Sequence, residues 1–165
     1  MSESRYLHLL DALVRHDVRF VIVGGMAAVL QRAPILTEDL DLVHDRAPEN
    51  VDNLLSALAE LNAIYRNDAR KLKPGASHLL GPGSQLLECG KIRFDIIGEL
   101  TPGGTYSDLL ASSDVIDVGG RSIRVLKLEK LIEIKRQLSR PKDKLMLMHL
   151  EATLEERAKL PRGDV

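Results

Sequence analysis

Three aspartates stand inside segments that otherwise have the composition of buried strands. Asp39 and Asp41 lie one residue apart in "TEDLDLV" (37–43), and Asp95 lies in "IRFDII" (92–97). Successive strand side chains point to opposite faces of a sheet, so Asp39 and Asp41 are expected to project together. If the strand of Asp95 is a neighbour, three carboxylates converge, and they repel one another unless a cation offsets their charge. The pattern therefore predicts a site for Mg²⁺ or Mn²⁺ and the chemistry of phosphoryl or nucleotidyl transfer.

Two glycines supply a second feature that suits this chemistry. Gly24 and Gly25 close the apolar run "RFVIV" (19–23) and open "MAAVLQR" (26–32), a short helix that Pro34 ends. Because glycine has no side chain, phosphate oxygens can approach its backbone N–H groups. The structural alternative for the glycines is a strand-to-helix turn with unusual backbone angles. An isolated Asp-x-Asp pair is more often solvated or a helix cap, but its combination with these glycines and Asp95 favours a site.

The rest of the sequence predicts the helices and strands that carry these residues. Apolar spacing predicts a helix from Tyr6 to about His16, and another from Pro48 to about Asn62. Two hairpins are predicted to turn at 89–91 and at 119–120, with a short helix between them. The stretch 67–78 is expected to be an exposed, mobile connection. The sequence therefore predicts an α/β (α+β) fold, a sheet flanked by helices.

The C-terminal part is expected to be helical from Lys127, with a break at Arg140–Pro141. A length of 165 residues favours one domain, 1–165, with a core at about 17–125 and C-terminal helices at about 127–159. The only cysteine, Cys89, excludes an internal disulfide and a cysteine-based zinc site. No apolar run has the length of a membrane span, which predicts a cytoplasmic protein without a membrane partner.

The order of these features resembles the nucleotidyltransferase superfamily with its polymerase-beta-like palm. The match consists of Gly24, Gly25, Asp39, Asp41 and Asp95. The closer resemblance is to small bacterial proteins of the minimal and abortive-infection types, which pair with toxins or act as them. Their late pattern is similar to "LEKLIEIKRQLSRPKDKLMLMHLE" (128–151), in which Lys135, Arg140, Lys142 and Asp143 stand at the matching places.

The resemblance implies a palm-type mixed sheet and Mg²⁺-dependent (or Mn²⁺-dependent) transfer of a nucleoside monophosphate from a nucleoside triphosphate to a hydroxyl. It implies that Asp39 and Asp41 bind the ions that carry the triphosphate. Asp95 would bind the second ion and help to deprotonate the acceptor. The remaining nucleotide contacts would come from Gly24, Gly25, Thr37, Lys135, Arg140 and Lys142.

The acceptor and the partners stay open at this level. A protein hydroxyl, such as one on a toxin-like protein, an RNA end such as that of tRNA, and a small molecule are all compatible, and a homodimer is plausible. One alternative is a non-catalytic protein that keeps the fold and docks to a protein partner. A second is a nucleic-acid binder that uses the basic stretch 121–144, where nine Lys or Arg face three acidic residues. Most of that stretch is instead expected to be a solvated helix face with acidic partners.

Overall fold

The structure is a computed structural model that describes residues 5–160. Its strands are β1 (Phe20–Val23), β2 (Leu40–His44), β3 (Ile64–Tyr65), β4 (Ser84–Cys89), β5 (Ile92–Ile97), β6 (Ser113–Val118) and β7 (Arg121–Leu126). Its helices are α1 (Leu7–Arg15), α2 (Gly24–Leu30), α3 (Pro48–Glu60), α4 (Ala76–Leu80), α5 (Tyr106–Leu110), α6 (Leu128–Arg136) and α7 (Pro141–Ala158).

All seven strands form one mixed sheet in the order β3-β4-β5-β2-β1-β7-β6. Strand β2 lies at its centre, antiparallel to β1 and parallel to β5. Two hairpins, β4–β5 and β6–β7, extend the sheet on either side. The predicted α/β class, with helices around a mixed sheet, is confirmed.

The apolar residues of the central strands explain why they are central. Strand β1 is buried at all four positions, which is typical of a strand covered on both faces. In β2, Leu40 and Leu42 are fully buried, whereas Asp41 between them is half-buried on the opposite face. Helix α1 packs on α3, while α2 packs on β1, β2 and α6, and α6 packs on α7.

Turn and cap residues set the boundaries that the sequence predicts. Gly90, Gly119 and Gly120 have positive φ at the hairpin turns, a conformation that glycine adopts without steric cost. Pro48 and Pro141 stand at the starts of α3 and α7, where a missing backbone N–H costs no helical hydrogen bond. No helix among residues 5–160 has the length and apolar character needed to cross a membrane.

Two local predictions need correction. The stretch 67–78 contains the first turn of α4, and the two-residue strand β3 precedes it. Strand β2 starts at Leu40 and not at Thr37, so Asp39 lies outside the strand. The physical reason is that β1 ends at Val23, opposite Asp41, where Gly24 begins a helix and withdraws the partner strand.

Candidate active site

Two of the three predicted carboxylates are direct neighbours across the sheet. Asp41 of β2 and Asp95 of β5 occupy paired positions of two parallel strands, so both side chains leave the sheet on the same face. Val23, the last residue of β1, pairs with Asp41 on its other side. The site therefore lies where β1 gives way to α2, at the centre of the sheet.

Asp39 stands apart from this pair. Its side chain is 63% exposed, and a carboxylate oxygen lies 3.8 Å from a guanidinium nitrogen of Arg93. Its backbone N–H donates to the Thr37 hydroxyl over 3.2 Å, a local turn that replaces strand pairing. We call Asp39, Asp41 and Asp95 the carboxylate cluster, although only Asp41 and Asp95 are paired across the sheet.

The charges of the carboxylate cluster act most strongly on Asp41. Burial, followed by the negative charges of Asp95 and Asp39, raises the pKa of Asp41 to about 7. The positive charge of Arg66 acts in the opposite direction but does not outweigh them. Within residues 5–160, Asp41 is thus the carboxylate of this cluster without a basic partner, whereas Asp95 contacts Arg66 and Asp39 contacts Arg93.

The two glycines give the carboxylate room. Gly24 has φ +65°, and a Cβ atom on it would lie 2.8 Å from an Asp41 carboxylate oxygen. A Cβ atom on Gly25 would lie 2.8 Å from the Thr37 hydroxyl oxygen. No side chain caps the start of α2, so its first backbone N–H groups keep their donor capacity. The turn requirement at Gly24 and an open approach to the backbone therefore coexist.

A second cluster faces the carboxylates from the C-terminal helices. The side chain of Asp143 is fully buried and accepts bonds from Lys135 Nζ at 2.9 Å and Arg140 Nε at 2.6 Å. Hydrogen bonds from Arg140 and then Lys135 lower the pKa of Asp143. Lys135 is 17% exposed and Arg140 is 61% exposed. We call Lys135, Arg140 and Lys142, with Asp143 between the first two, the cation cluster.

One cavity brings both clusters together. The polar cavity has a volume of about 260 Å³, and its lining includes Gly24, Gly25, Thr37, Asp39, Asp41, Lys135, Arg140, Lys142 and Asp143. The residues predicted from the sequence thus share one cavity, except Asp95, which adjoins it through Asp41. Elsewhere in the basic stretch, acidic partners hold Arg121, Lys130 and Arg136, as predicted.

An apolar cavity of about 240 Å³ adjoins the polar one and shares Gly24, Asp41, Lys135 and Arg140 with it. Its other walls are mainly aliphatic, with Ile97, Leu126, Leu131, Ile134 and Leu138 among them. No aromatic side chain lines either cavity among residues 5–160.

Arg66 belongs to the site, although no sequence pattern predicts it. Arg66, which directly follows β3, donates from a guanidinium nitrogen to an Asp95 carboxylate oxygen at 2.8 Å. Its side chain is 14% exposed and that of Asp95 is 24% exposed. Only the pairing of β3 with β4, and of β4 with β5, brings these residues together.

Known structures share this architecture. No protein-family model and no curated protein matches the chain. The antibiotic-resistance factor ANT(2″)-Ia, in complex with adenylyl-2″-tobramycin, matches 94% of this chain and 91% of its own at 16% identity and a TM-score of 0.59. The lincosamide antibiotic adenylyltransferase LnuA, bound to lincomycin, matches 92% of this chain and 96% of its own at 14% identity and a TM-score of 0.61. A Thermotoga maritima protein assigned as a nucleotidyltransferase matches 94% and 92% at 20% identity and a TM-score of 0.52.

The chain has the nucleotidyltransferase fold. The predicted resemblance is thereby confirmed at the level of fold, over nearly the whole chain. The roles of individual residues rest on the geometry of this chain alone.

The nucleotidyltransferase fold implies a divalent cation, and the pair Asp41 and Asp95 provides part of a suitable set of ligands. Asp41 and Asp95 offer adjacent oxygen ligands, and Asp41 has no basic partner within residues 5–160, which suits a hard cation that keeps waters and phosphate oxygens as further ligands. Among residues 5–160, no three acidic, histidine or cysteine side chains are grouped to hold a metal ion. Asp39 lines the same cavity but contacts Arg93, so its predicted role as a metal ligand stays a prediction.

Proposed function

We propose that the chain is a nucleotidyltransferase that moves a nucleoside monophosphate from a nucleoside triphosphate to an acceptor hydroxyl, with Mg²⁺ or Mn²⁺ as cofactor. The observation that carries the proposal is the polar cavity, in which Asp41 faces the cation cluster. A magnesium nucleotide has the complementary charges, because its ion suits carboxylates and its phosphates suit lysine and arginine.

In this proposal Asp41 and Asp95 would hold the cation, with Asp39 as a further ligand. The cation, when bound, neutralises phosphate charge and polarises the reacting phosphorus. Lys135, Arg140 and Lys142 bind the triphosphate oxygens, and the backbone of Gly24 and Gly25 donates to them. Asp143 positions Lys135 and Arg140, since both bond to its carboxylate.

The transfer step is a displacement at the α-phosphorus. The acceptor oxygen forms a bond to that phosphorus, the bond from the phosphorus to the bridging oxygen of the β-phosphate breaks, and pyrophosphate leaves. The acceptor proton passes to the carboxylate of Asp95, which faces the open side of the sheet beyond Asp41. The cation cluster balances the charge of the leaving pyrophosphate.

One observation favours the non-catalytic alternative. Asp39 is exposed and lies against Arg93, so the carboxylate cluster is incomplete as a three-ligand site within residues 5–160. A protein that binds a nucleotide through the cation cluster and docks to a partner would need no third ligand. The two functions differ in whether nucleotide binding depends on the metal.

Thermal unfolding with each of four nucleoside triphosphates, with and without Mg²⁺, tests the proposal. A ligand at about 100 times its dissociation constant adds about 2.7 kcal/mol, which in a chain of this size raises Tm by roughly 5–10 °C. We expect this shift in the wild type only with Mg²⁺, and we expect its loss in Asp41→Asn. The matched control is Asp52→Asn on the exposed side of α3, which should keep the shift. Stabilisation without Mg²⁺ that survives in Asp41→Asn would favour the binding protein instead.

A further inference from the structure

A cross-strand row runs from Asp41 and Asp95 toward the β3 edge of the sheet, and its outer members, Leu86 and Arg66, have no part in the proposed reaction. Arg66, Leu86, Asp95 and Asp41 follow one another across four neighbouring chain segments. The Arg66 N–H donates to the Leu86 carbonyl at 3.0 Å, Leu86 pairs with Asp95, and Asp95 pairs with Asp41. Paired residues project from the same face, so the row forms one surface that starts at the carboxylates.

The outer part of this surface is exposed to solvent at Leu86. Leu86 is 47% exposed, which is high for a leucine in the second strand from the centre of a sheet. The Arg66 guanidinium reaches past Leu86 to Asp95, so a molecule beside Leu86 would meet Arg66 and Asp95 together. It would lie on the opposite side of Asp95 from Asp41, and therefore away from the cation cluster.

Arg66 has binding capacity that its present contact does not use. A guanidinium has five N–H donors, and the structure gives Arg66 one side-chain hydrogen bond, to Asp95. No buried side-chain nitrogen or oxygen among residues 5–160 lacks a partner, so the remaining donors of Arg66 reach solvent. When Asp95 neutralises a cation, Arg66 needs another anion, because a largely buried charge without a partner is costly.

The chain next to Arg66 adds to the positive charge. Residues 66–73 contain Arg66, Arg70, Lys71 and Lys73 against Asp68 alone. Arg70 bonds to Asp68, whereas Lys71 and Lys73 are exposed and have no acidic partner within 4 Å in the part of the chain that the structure describes. The charge of this segment therefore favours an anionic ligand over a cationic one beside Arg66.

We propose that Arg66 belongs to the acceptor site and selects a phosphorylated acceptor. This inference rests on the proposed function and names its acceptor class. A guanidinium binds a phosphate through two parallel hydrogen bonds, which would fix the acceptor with its hydroxyl beside Asp95. A polyamine acceptor such as tobramycin would instead bring positive charge against Arg66 and Lys71.

Binding to the nucleotide-loaded protein tests this directly. The protein is saturated with Mg²⁺ and an α,β-methylene triphosphate analogue, which fills the polar cavity and cannot transfer. Uridine 5′-monophosphate, uridine and tobramycin are then titrated by calorimetry. In the wild type we expect the monophosphate to bind at least tenfold more tightly than uridine, and tobramycin to bind more weakly than the monophosphate.

The variants show whether Arg66 is responsible. The preference for the monophosphate over uridine should fall to about onefold in Arg66→Ala and be partly retained in Arg66→Lys. It should be unchanged in Arg136→Ala, which removes an ion-paired arginine on α6. Equal binding of the two uridine compounds to the wild type, an unchanged preference in Arg66→Ala, or no binding of either compound would overturn the inference.

Two further experiments complete the test. One identifies the source of the phosphate, and the other distinguishes a failure of this inference from a failure of the proposed function. A five-nucleotide RNA with a free 3′-hydroxyl that binds tenfold more tightly than the monophosphate would identify a polynucleotide acceptor, and equal binding would identify a small phosphorylated compound. Saturation by the triphosphate analogue is measured first. If it fails in the wild type, the proposed function fails, and the monophosphate preference is then measured on the unloaded proteins. A preference that is lost in Arg66→Ala and kept in Lys142→Ala would support a phosphate site at Arg66, and a preference that persists in Arg66→Ala would overturn it.

Discussion

The carboxylate cluster and the cation cluster differ in how far the protein compensates their charge. Asp143 is fully buried between Lys135 and Arg140, and both pairs lie within hydrogen-bonding distance. Asp41 has Asp95 as its neighbour, and the charges of two other carboxylates help to raise its pKa to about 7. The protein itself therefore compensates the charge of Asp143, whereas Asp41 has no basic partner within residues 5–160 and a bound cation would favour its charged form. This asymmetry is what a metal-bound triphosphate would complement.

The largest effect is expected when a substitution breaks the carboxylate cluster. Asp41→Asn removes a charged ligand of the proposed cation site, so we expect both the Mg²⁺-dependent nucleotide binding and the transfer to be lost. We expect transfer to fall by at least 10³-fold, about 4 kcal/mol in the activation free energy. The measurement is pyrophosphate release with a verified acceptor, with Asp52→Asn as the control. Transfer within tenfold of the wild type would show that the carboxylates do not carry the reaction.

A smaller loss is expected when the cation cluster is broken. Asp143→Asn leaves Lys135 without a counter-charge in a mostly buried place, and we expect the free energy of unfolding to fall by about 3 kcal/mol. Urea denaturation measures this change. Glu151→Gln is the matched control, because its pair with Arg136 is exposed and should contribute less than about 1 kcal/mol. Similar losses in both variants would mean that Asp143 does not organise the cluster.

The pH dependence of stability distinguishes the clusters without any substrate. The folded-state pKa of Asp41 is raised to about 7, so the folded protein binds this proton more tightly than the unfolded chain does. The contribution of Asp41 is most favourable below about pH 4 and is lost as the pH rises toward 7. Without metal, Asp41→Asn should thus be more stable than the wild type at pH 8, by roughly 2 kcal/mol, and the difference should shrink at pH 5.

Urea denaturation in EDTA at pH 5 and pH 8 measures that difference. Mg²⁺ should raise the stability of the wild type at pH 8 and leave Asp41→Asn nearly unchanged. For Asp143 the sign is opposite, because its lowered pKa gives stability that is present at neutral pH and lost in acid. If the free energies of unfolding of the wild type and Asp41→Asn differed by the same amount at both pH values, the electrostatic account of the carboxylate cluster would be contradicted.

Local sequence features predicted the turns and helix starts correctly, because these depend on residues close together in the chain. The hairpin turns, the helix starts at Pro48 and Pro141, and the change from strand to helix at Gly24 all depend on residues a few positions apart. Strand β3 has two residues and exists through its pairing with β4, which no local pattern predicts. The start of β2 was misplaced because its extent is set by where β1 ends.

The same distinction holds within the site. Asp143 and Arg140 are three residues apart at the start of α7, so their contact follows from helical spacing. Arg66 and Asp95 are 29 residues apart and meet only through two strand pairings. The strand patterns predicted that Asp41 and Asp95 would meet if their strands were neighbours, but they could not show that Asp39 contacts Arg93, because that depends on β5.

The smallest expected effect concerns the apolar cavity, which touches both clusters but has little charge of its own. Its walls beyond the four shared residues are mainly aliphatic, and Thr101 is their one polar side chain. Such walls bind a nucleobase by contact area and do not distinguish hydrogen-bonding edges. If the base lies there, dissociation constants for the four nucleoside triphosphates should agree within about tenfold, or about 1.4 kcal/mol. Leu138→Ala should weaken all four by a similar factor, roughly three- to tenfold, whereas a loss confined to one base would place base recognition outside this cavity.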